Sequence, residues 1–375
     1  MSVSRLATLL FIICACGWGF STSVQAQKTN LSDTEIATLF APTFYQALGD
    51  KPRSDYITNF DFDGDWKGDN NWNNLANKDF SLKAFIYYSV AETTTHYFVH
   101  YAVFHPRDYK GGERKGAILS ELIREGAKRG GKYDPTGLAD EATLAHENDM
   151  EGALVVVKKN GSDLSQAQVI FVETLHHNNF ARYQAGEENS RFVLEGQHPL
   201  LYIEPKGHGI EAFSGDEKQT SKKNFLRYVV GESPDDPDKK DFVCRNLPST
   251  PCQNSVNYSL IPISLLWSKA TAQINATFGE TFDYGDVKLS TSLNGNHATD
   301  KTFKIGKRGC AFLGSVGGIN MARPPWGWFD REEKELPLGQ WFFDPATTIK
   351  RDFKLDSTFS TSYVRLPFWA SNKKG

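Results

Sequence analysis

The clearest regularity along the chain is a two-residue alternation of side-chain character. Tyr97, Val99, Tyr101 and Val103 recur at every second position through His96 to Phe104, which is the period of a β-strand. Phe85 to Tyr88, Asp149 to Lys158, Gln168 to Leu175 and Leu200 to Glu204 read as further strands. Turn-forming polar residues such as Lys159-Asn160-Gly161 lie between them, so the middle third predicts an antiparallel meander. Helical spacing appears twice. Ser32 can cap a helix within Leu31 to Leu48, where Ile36, Leu39, Phe40 and Phe44 share a face and Pro42 must kink or break the run. Ala117 to Lys128 has the pattern of a helical insert, and Leu260 to Thr271 fits either a helix or a strand. Polar, turn-rich stretches cover residues 52–77 and 213–257, the latter containing Pro234-Asp235-Asp236-Pro237. Beyond them come short aromatic strands and proline turns, including Pro324-Pro325-Trp326-Gly327-Trp328. The expected fold is mainly β: an antiparallel β-sandwich with a short N-terminal helix and a helical insert. Residues 27–215 would form its core, and residues 216–375 a β-rich C-terminal part packed in the same domain.

The N-terminus changes the picture from a generic β protein to one made for export. Arg5, the uncharged apolar run Leu6 to Phe20 and the small residues of Val24-Gln25-Ala26 have the order of a signal peptide over residues 1–26. The expected location is secreted or periplasmic. No later apolar segment is long enough for a transmembrane helix. In an oxidising compartment Cys244 and Cys252, close neighbours in a polar stretch, are expected to pair, leaving Cys310 as a buried thiol. The net charge of −3 provides no basic field for a nucleic acid.

The candidate chemistry lies in Ala145-His146-Glu147-Asn148-Asp149-Met150-Glu151-Gly152. One imidazole and two carboxylates at His146, Asp149 and Glu151 suit a divalent cation. Mg or Ca comes first, and Mn or Zn is also compatible. On a strand Asp149 and Glu151 point to one face, and His146 joins them only if the chain bends in between. Further histidines sit at the ends of neighbouring strands: His105, His176, His177 and His208. They are expected as supporting or ligand-binding groups.

The pattern His146-x-x-Asp149-x-Glu151 resembles the G-H-R-H-D-W-E heptapeptide of the necrosis- and ethylene-inducing-like proteins. Phe104-His105-Pro106-Arg107-Asp108 is similar to their Y-F-P-K-D. The resemblance implies a secreted β-sandwich with a divalent cation on Asp108, His146, Asp149 and Glu151. A related resemblance is to the vacuolar-protein-sorting-like family, through Glu173 to His177 and Gly207-His208-Gly209. Ala145, Asn148 and Met150 depart from the heptapeptide, and the likeness covers residues 85–215 only.

Two other readings use overlapping residues. Glu147-x-Asp149-x-Glu151 also resembles the catalytic strand of the laminarinase and lichenase group, with Glu147 as nucleophile and Glu151 as acid/base. There Trp66, Trp72, Trp326 and Trp328 could stack on sugars, although a place in the core is the commoner use of tryptophan. Asp61, Asp63, Asp65 and Asp69 occupy offsets that can wrap a calcium ion, or else bond their own loop. The expected function is cation-dependent recognition of a glycan or lipid headgroup, with possible action on membranes. A glycosidase or a metal-assisted phosphoester hydrolase is the alternative.

Overall fold

The structure, a computed structural model, describes residues 32–109 and 145–368 apart from 162, 189, 222, 246, 248, 249 and 294–296. The expected signal peptide and the helical insert at 117–128 lie outside the described residues. A single helix, α1 (Asp33–Leu39), opens the described chain. Ser32 caps it, accepting from the Glu35 amide while Glu35 bonds back to the Ser32 amide.

The expected helix does not run on to Leu48. It stops before Pro42, and β1 (Thr43–Leu48) follows. The ring of Pro42 cannot continue the helix, and the residues after it are rich in β-formers. Then come β2 (Phe85–Thr93), β3 (His96–Tyr109), β4 (Ala145–Lys158), β5 (Gln168–His176) and β6 (Asn179–Gln184), joined as antiparallel neighbours. The meander expected in the middle third is present through the first four of these strands, with β3 and β4 each running to 14 residues; β6 extends it where the sequence marks no strand, and the expected strand Leu200–Glu204 lies outside it.

The remaining strands correct the expectation of a purely antiparallel sheet. They are β7 (Leu194–Glu195), β8 (His198–Ile203), β9 (Ile210–Ala212), β10 (Asn224–Val230) and β11 (Val256–Pro262), followed by β12 (Phe278–Asp283), β13 (Asp286–Leu293), β14 (His297–Lys304), β15 (Lys307–Phe312) and β16 (Tyr363–Arg365). Among the described residues the main sheet runs β6-β5-β4-β3-β2-β11-β10-β1-β8-β7. Within it β1–β8, β10–β11 and β11–β2 are parallel pairs. Each joins strands distant in sequence, so the local hairpin signals could not reveal them. Leu260 to Thr271 resolves into the end of β11 and a short α2 (Ser264–Trp267).

Strands β3 and β4 are buried on both faces, with Lys158 the exception in β4. On one face of β3 the Tyr101 hydroxyl donates to the Ala37 carbonyl of α1 at 2.6 Å. On the other, His100 packs against Trp341 and Phe342 from the far end of the chain. Trp328 enters the same layer where β4 lacks a side chain: a Cβ on Gly152 would lie 2.3 Å from its ring. Trp326 and Trp328 are core residues at 0% and 2% exposure, so they are not platforms for a sugar. Cys244 and Cys252 form a disulfide, as the sequence predicts, and Cys310 is a buried free thiol. Among the described residues no helix is long and apolar enough to cross a membrane.

Candidate functional site

The strand β4 carries its polar run into the protein because it bends at Asn148, whose φ is +61°. Asparagine tolerates this left-handed conformation better than most residues. The bend is held from three sides. Asn148 Nδ2 donates to the carbonyls of Gly68 at 2.8 Å and Leu313 at 2.9 Å, and its Oδ1 accepts from Asn71 at 2.7 Å. His146 and Glu147 precede this bend along the chain, and Asp149 and Glu151 follow it.

On the first side, the β3–β4 register sets Asp108 opposite His146, and Asp108 Oδ2 lies 3.6 Å from His146 Nε2. The other ring nitrogen of His146 lies 3.4 Å from the Glu147 carbonyl. Glu147 itself is fully engaged. One oxygen accepts from the Trp72 amide at 2.8 Å, and the other from the Ser315 amide at 2.7 Å and the Ser315 hydroxyl at 3.0 Å. Burial raises its pKa more than these bonds lower it.

On the second side, two tight turns converge. His177 and Asn178, with φ of +52° and +61°, form the two-residue turn between β5 and β6. Positive φ at both positions is what such a hairpin turn requires. The turn aims the His177 amide at Glu151 Oε1, 3.1 Å away. The connection from β8 to β9 likewise passes through His208 at φ +55°.

His208 Nδ1 donates to Asp149 Oδ2 at 2.9 Å, and its Nε2 lies 3.4 Å from Asp55 Oδ1. Burial opposes a charge on His208, but the two aspartates outweigh it and push its pKa up to about 10. His105 stacks on His208 with ring centroids 3.7 Å apart and planes 7° from parallel. Burial, then the His208 charge, hold His105 well below the usual range, so the stack pairs a neutral ring with a cationic one.

Glu151 is only half satisfied. It is 6% exposed, and its Oε2 has no hydrogen-bond partner. Burial first, and the Asp149 charge second, raise its pKa well above the usual carboxylate range. Beyond it stand the two turn histidines. His177 Nε2 contacts Glu204 Oε1, His176 Nε2 lies 3.6 Å from Glu204 Oε2, and His176 Nδ1 lies 3.1 Å from Glu211 Oε1. Burial opposes protonation of His176, but Glu204 and Glu211 prevail and push it up to about 10. Its hydrogen bond in turn holds the Glu211 carboxyl below its usual value.

Of the four expected ligands, Asp108 faces His146 across the β3–β4 register, and Asp149 interacts electrostatically with Glu151. Among the described residues the three donors that bring their ligand atoms within 4.8 Å of one another are His176, His177 and Glu204. Glu204 closes a predicted strand and Glu211 lies beyond it; neither carries a motif that would mark it in the sequence. In the loop 61–69, Asp61 accepts from Asn59 at 2.7 Å and Asp63 from Asn74 at 2.6 Å. Asp65 accepts from the Lys67 amide at 2.7 Å and from Asn70 at 3.1 Å. This is the self-bonded arrangement of an Asx-rich loop. Asp69 contributes its carbonyl to the Ser315 hydroxyl. Trp72 lies under Arg107, whose guanidinium is 4.8 Å from the ring centroid.

No family model matches the sequence, and no curated protein does. Solved structures of necrosis- and ethylene-inducing proteins are similar over part of the chain. NLPPya in complex with mannosamine is 13% identical, covering 48% of this chain and 66% of that one, with a TM-score of 0.28. Necrosis and Ethylene inducing Protein 2, from the causal agent of cocoa's Witches Broom disease, is 16% identical. It covers 48% of this chain and 69% of that one, with a TM-score of 0.27. The non-toxic HaNLP3 protein is 14% identical with a TM-score of 0.22; this chain spans 46% of its length. At such scores the similarity carries no argument about function, which rests on the residues above.

Proposed function

We propose that the protein is an exported β-sandwich protein that holds a divalent cation at Asp149 and Glu151 and uses it to recognise a polyhydroxylated ligand, a glycan or a lipid headgroup. The observation that carries the proposal is Glu151 Oε2, a buried carboxylate oxygen without a partner beside a second carboxylate. Buried polar atoms are normally satisfied, and two like charges in one buried place repel. A dication answers both problems by giving the orphaned oxygen a partner and neutralising the pair. Asp108 and His146 form the flank of the site. The ion would supply a positive template for ligand hydroxyls or phosphate oxygens. The protein residues would fix its position and exclude water from the β4 side.

A disulfide, which persists in oxidising compartments, supports export. Burial of β3 and β4 on both faces supports two packed layers. The glycosidase alternative is weaker, because Glu147 has both oxygens committed to the main-chain amides and hydroxyl that hold the Trp72 and Ser315 loops.

The test is retention on a glycan array and on liposomes of defined headgroup composition, with calcium or magnesium and then with a chelator. The proposal expects binding that is lost with chelator and lost in Asp149→Asn. Binding unchanged by either would remove the cation from the function.

A further inference from the structure

We propose that His176, His177 and Glu204 form a separate transition-metal site, zinc being the preferred ion, at the mouth of the β5–β6 and β8–β9 turns. Its three ligands are distinct from Asp149 and Glu151, and its test separates the two readings.

Three observations support it. The first is the donor geometry. Each histidine presents Nε2 to the Glu204 carboxylate, and the three ligand atoms lie within 4.8 Å of one another. His176 Nε2 and Glu204 Oε2 are 3.6 Å apart. Two ligands on a tetrahedral zinc, each bonded at about 2.0–2.1 Å, stand roughly 3.4 Å from each other. The spacing already present therefore fits an ion with small side-chain adjustments.

The second is the outer shell. A metal-bound histidine usually gives its other nitrogen to a carboxylate, which fixes the ring and its tautomer. His176 does this with Glu211, Nδ1 lying 3.1 Å from Oε1. His177 Nδ1 lies 3.9 Å from Glu151 Oε1, the carboxyl whose other oxygen is unpartnered and buried. Both rings thus point the nitrogen that can bind a metal to the same place and the other nitrogen to an acid.

The third is the room made for the ring. A Cβ on Gly209 would lie 1.9 Å from His176 Cδ2, so the backbone of the β8–β9 connection approaches where only glycine fits.

Two imidazoles select against magnesium and calcium, which prefer oxygen donors, and favour zinc or its first-row neighbours. The side chains of His176, His177 and Glu204 are 28%, 20% and 25% exposed, so the ion has an entry path and solvent can reach a fourth position. Three protein ligands with an open position is the arrangement in which zinc can hold a water or a ligand oxygen.

The test is competition of the untagged mature protein against a chromophoric zinc chelator, together with the visible spectrum of its cobalt(II) form. Wild type should bind one zinc and give the intense bands of tetrahedral cobalt. His176→Ala, His177→Ala and Glu204→Gln should each weaken zinc binding by at least 100-fold. Glu211→Gln should weaken it by about 10- to 100-fold with the spectrum retained. Asp149→Asn should leave it unchanged. Absence of zinc binding in folded wild type would overturn the proposal. So would zinc binding that survives both histidine variants but is lost in Asp149→Asn, an outcome that would place the metal at the acidic pair and leave the proposed function intact.

Discussion

At the scale of single residues, the site depends on a side chain that bears no chemistry of its own. Asn148 has three hydrogen bonds to Gly68, Leu313 and Asn71 and is fully buried at a positive φ. Asn148→Ala should leave two buried carbonyls without that donor and force alanine into an unfavourable conformation. A loss of at least about 2 kcal/mol is expected in urea denaturation, since each unsatisfied buried group costs about 1–3 kcal/mol. A loss below about half a kcal/mol would show that the bend is not held this way. The sequence offered Asn148 only as a departure from the heptapeptide, because asparagine in a polar run does not announce a left-handed bend. The opposite happened with Glu147, which stood out in an acidic spacing. Its role proves to be tying down two loops that lie 75 and 168 residues away in the chain.

At the scale of elements, β3 makes a pH dependence that is separable from the site. His100 is fully buried, its Nε2 hydrogen donated to the Trp341 carbonyl at 2.9 Å, and burial lowers its pKa to about 4. An unfolded histidine titrates near 6.5, so between about 6.5 and 4 the unfolded chain binds the extra proton and stability falls as pH falls. His96, at the start of the same strand, is also lowered to about 4 by burial, with Lys158 and Lys159 adding to the shift. For His100 alone the loss between pH 7 and pH 5 is about 2 kcal/mol. Urea titrations at those two pH values should show the loss shrink by a comparable amount in His100→Gln. An equal loss in the variant would assign the slope to other groups.

The same strand explains part of what the sequence could disclose. Alternation marked Tyr97 to Val103, but the intervening Phe98, His100 and Ala102 are buried as well. The Trp341 and Phe342 that cover His100 lie some 240 residues downstream, where no local pattern announces the contact. Pro42 marked a break in the first helix, and the switch to β1 followed from the β-formers beyond it.

At the scale of the whole molecule, the meander β2 to β5 was legible because its strands are neighbours in sequence and in the sheet. The parallel junctions β1–β8, β10–β11 and β11–β2 were not, because β1–β8 and β11–β2 pair strands with several other strands between them in sequence, and β10–β11 spans a long polar connection. The site shows the same division. The candidate groups on β4 stand out by their spacing. The separate cluster of Glu204 and Glu211 with His176 and His177 exists only once the β8–β9 and β5–β6 turns are brought together.

The central claim is that the buried acidic pair holds a cation. Isothermal titration of magnesium and calcium into zinc-free mature protein tests it most directly, with Glu151→Gln and Asp149→Asn run alongside and their folding checked by circular dichroism. The account predicts one site in wild type and at least 10-fold weaker binding in each folded variant. A wild type that binds neither ion, or variants that bind as tightly as wild type, would contradict it.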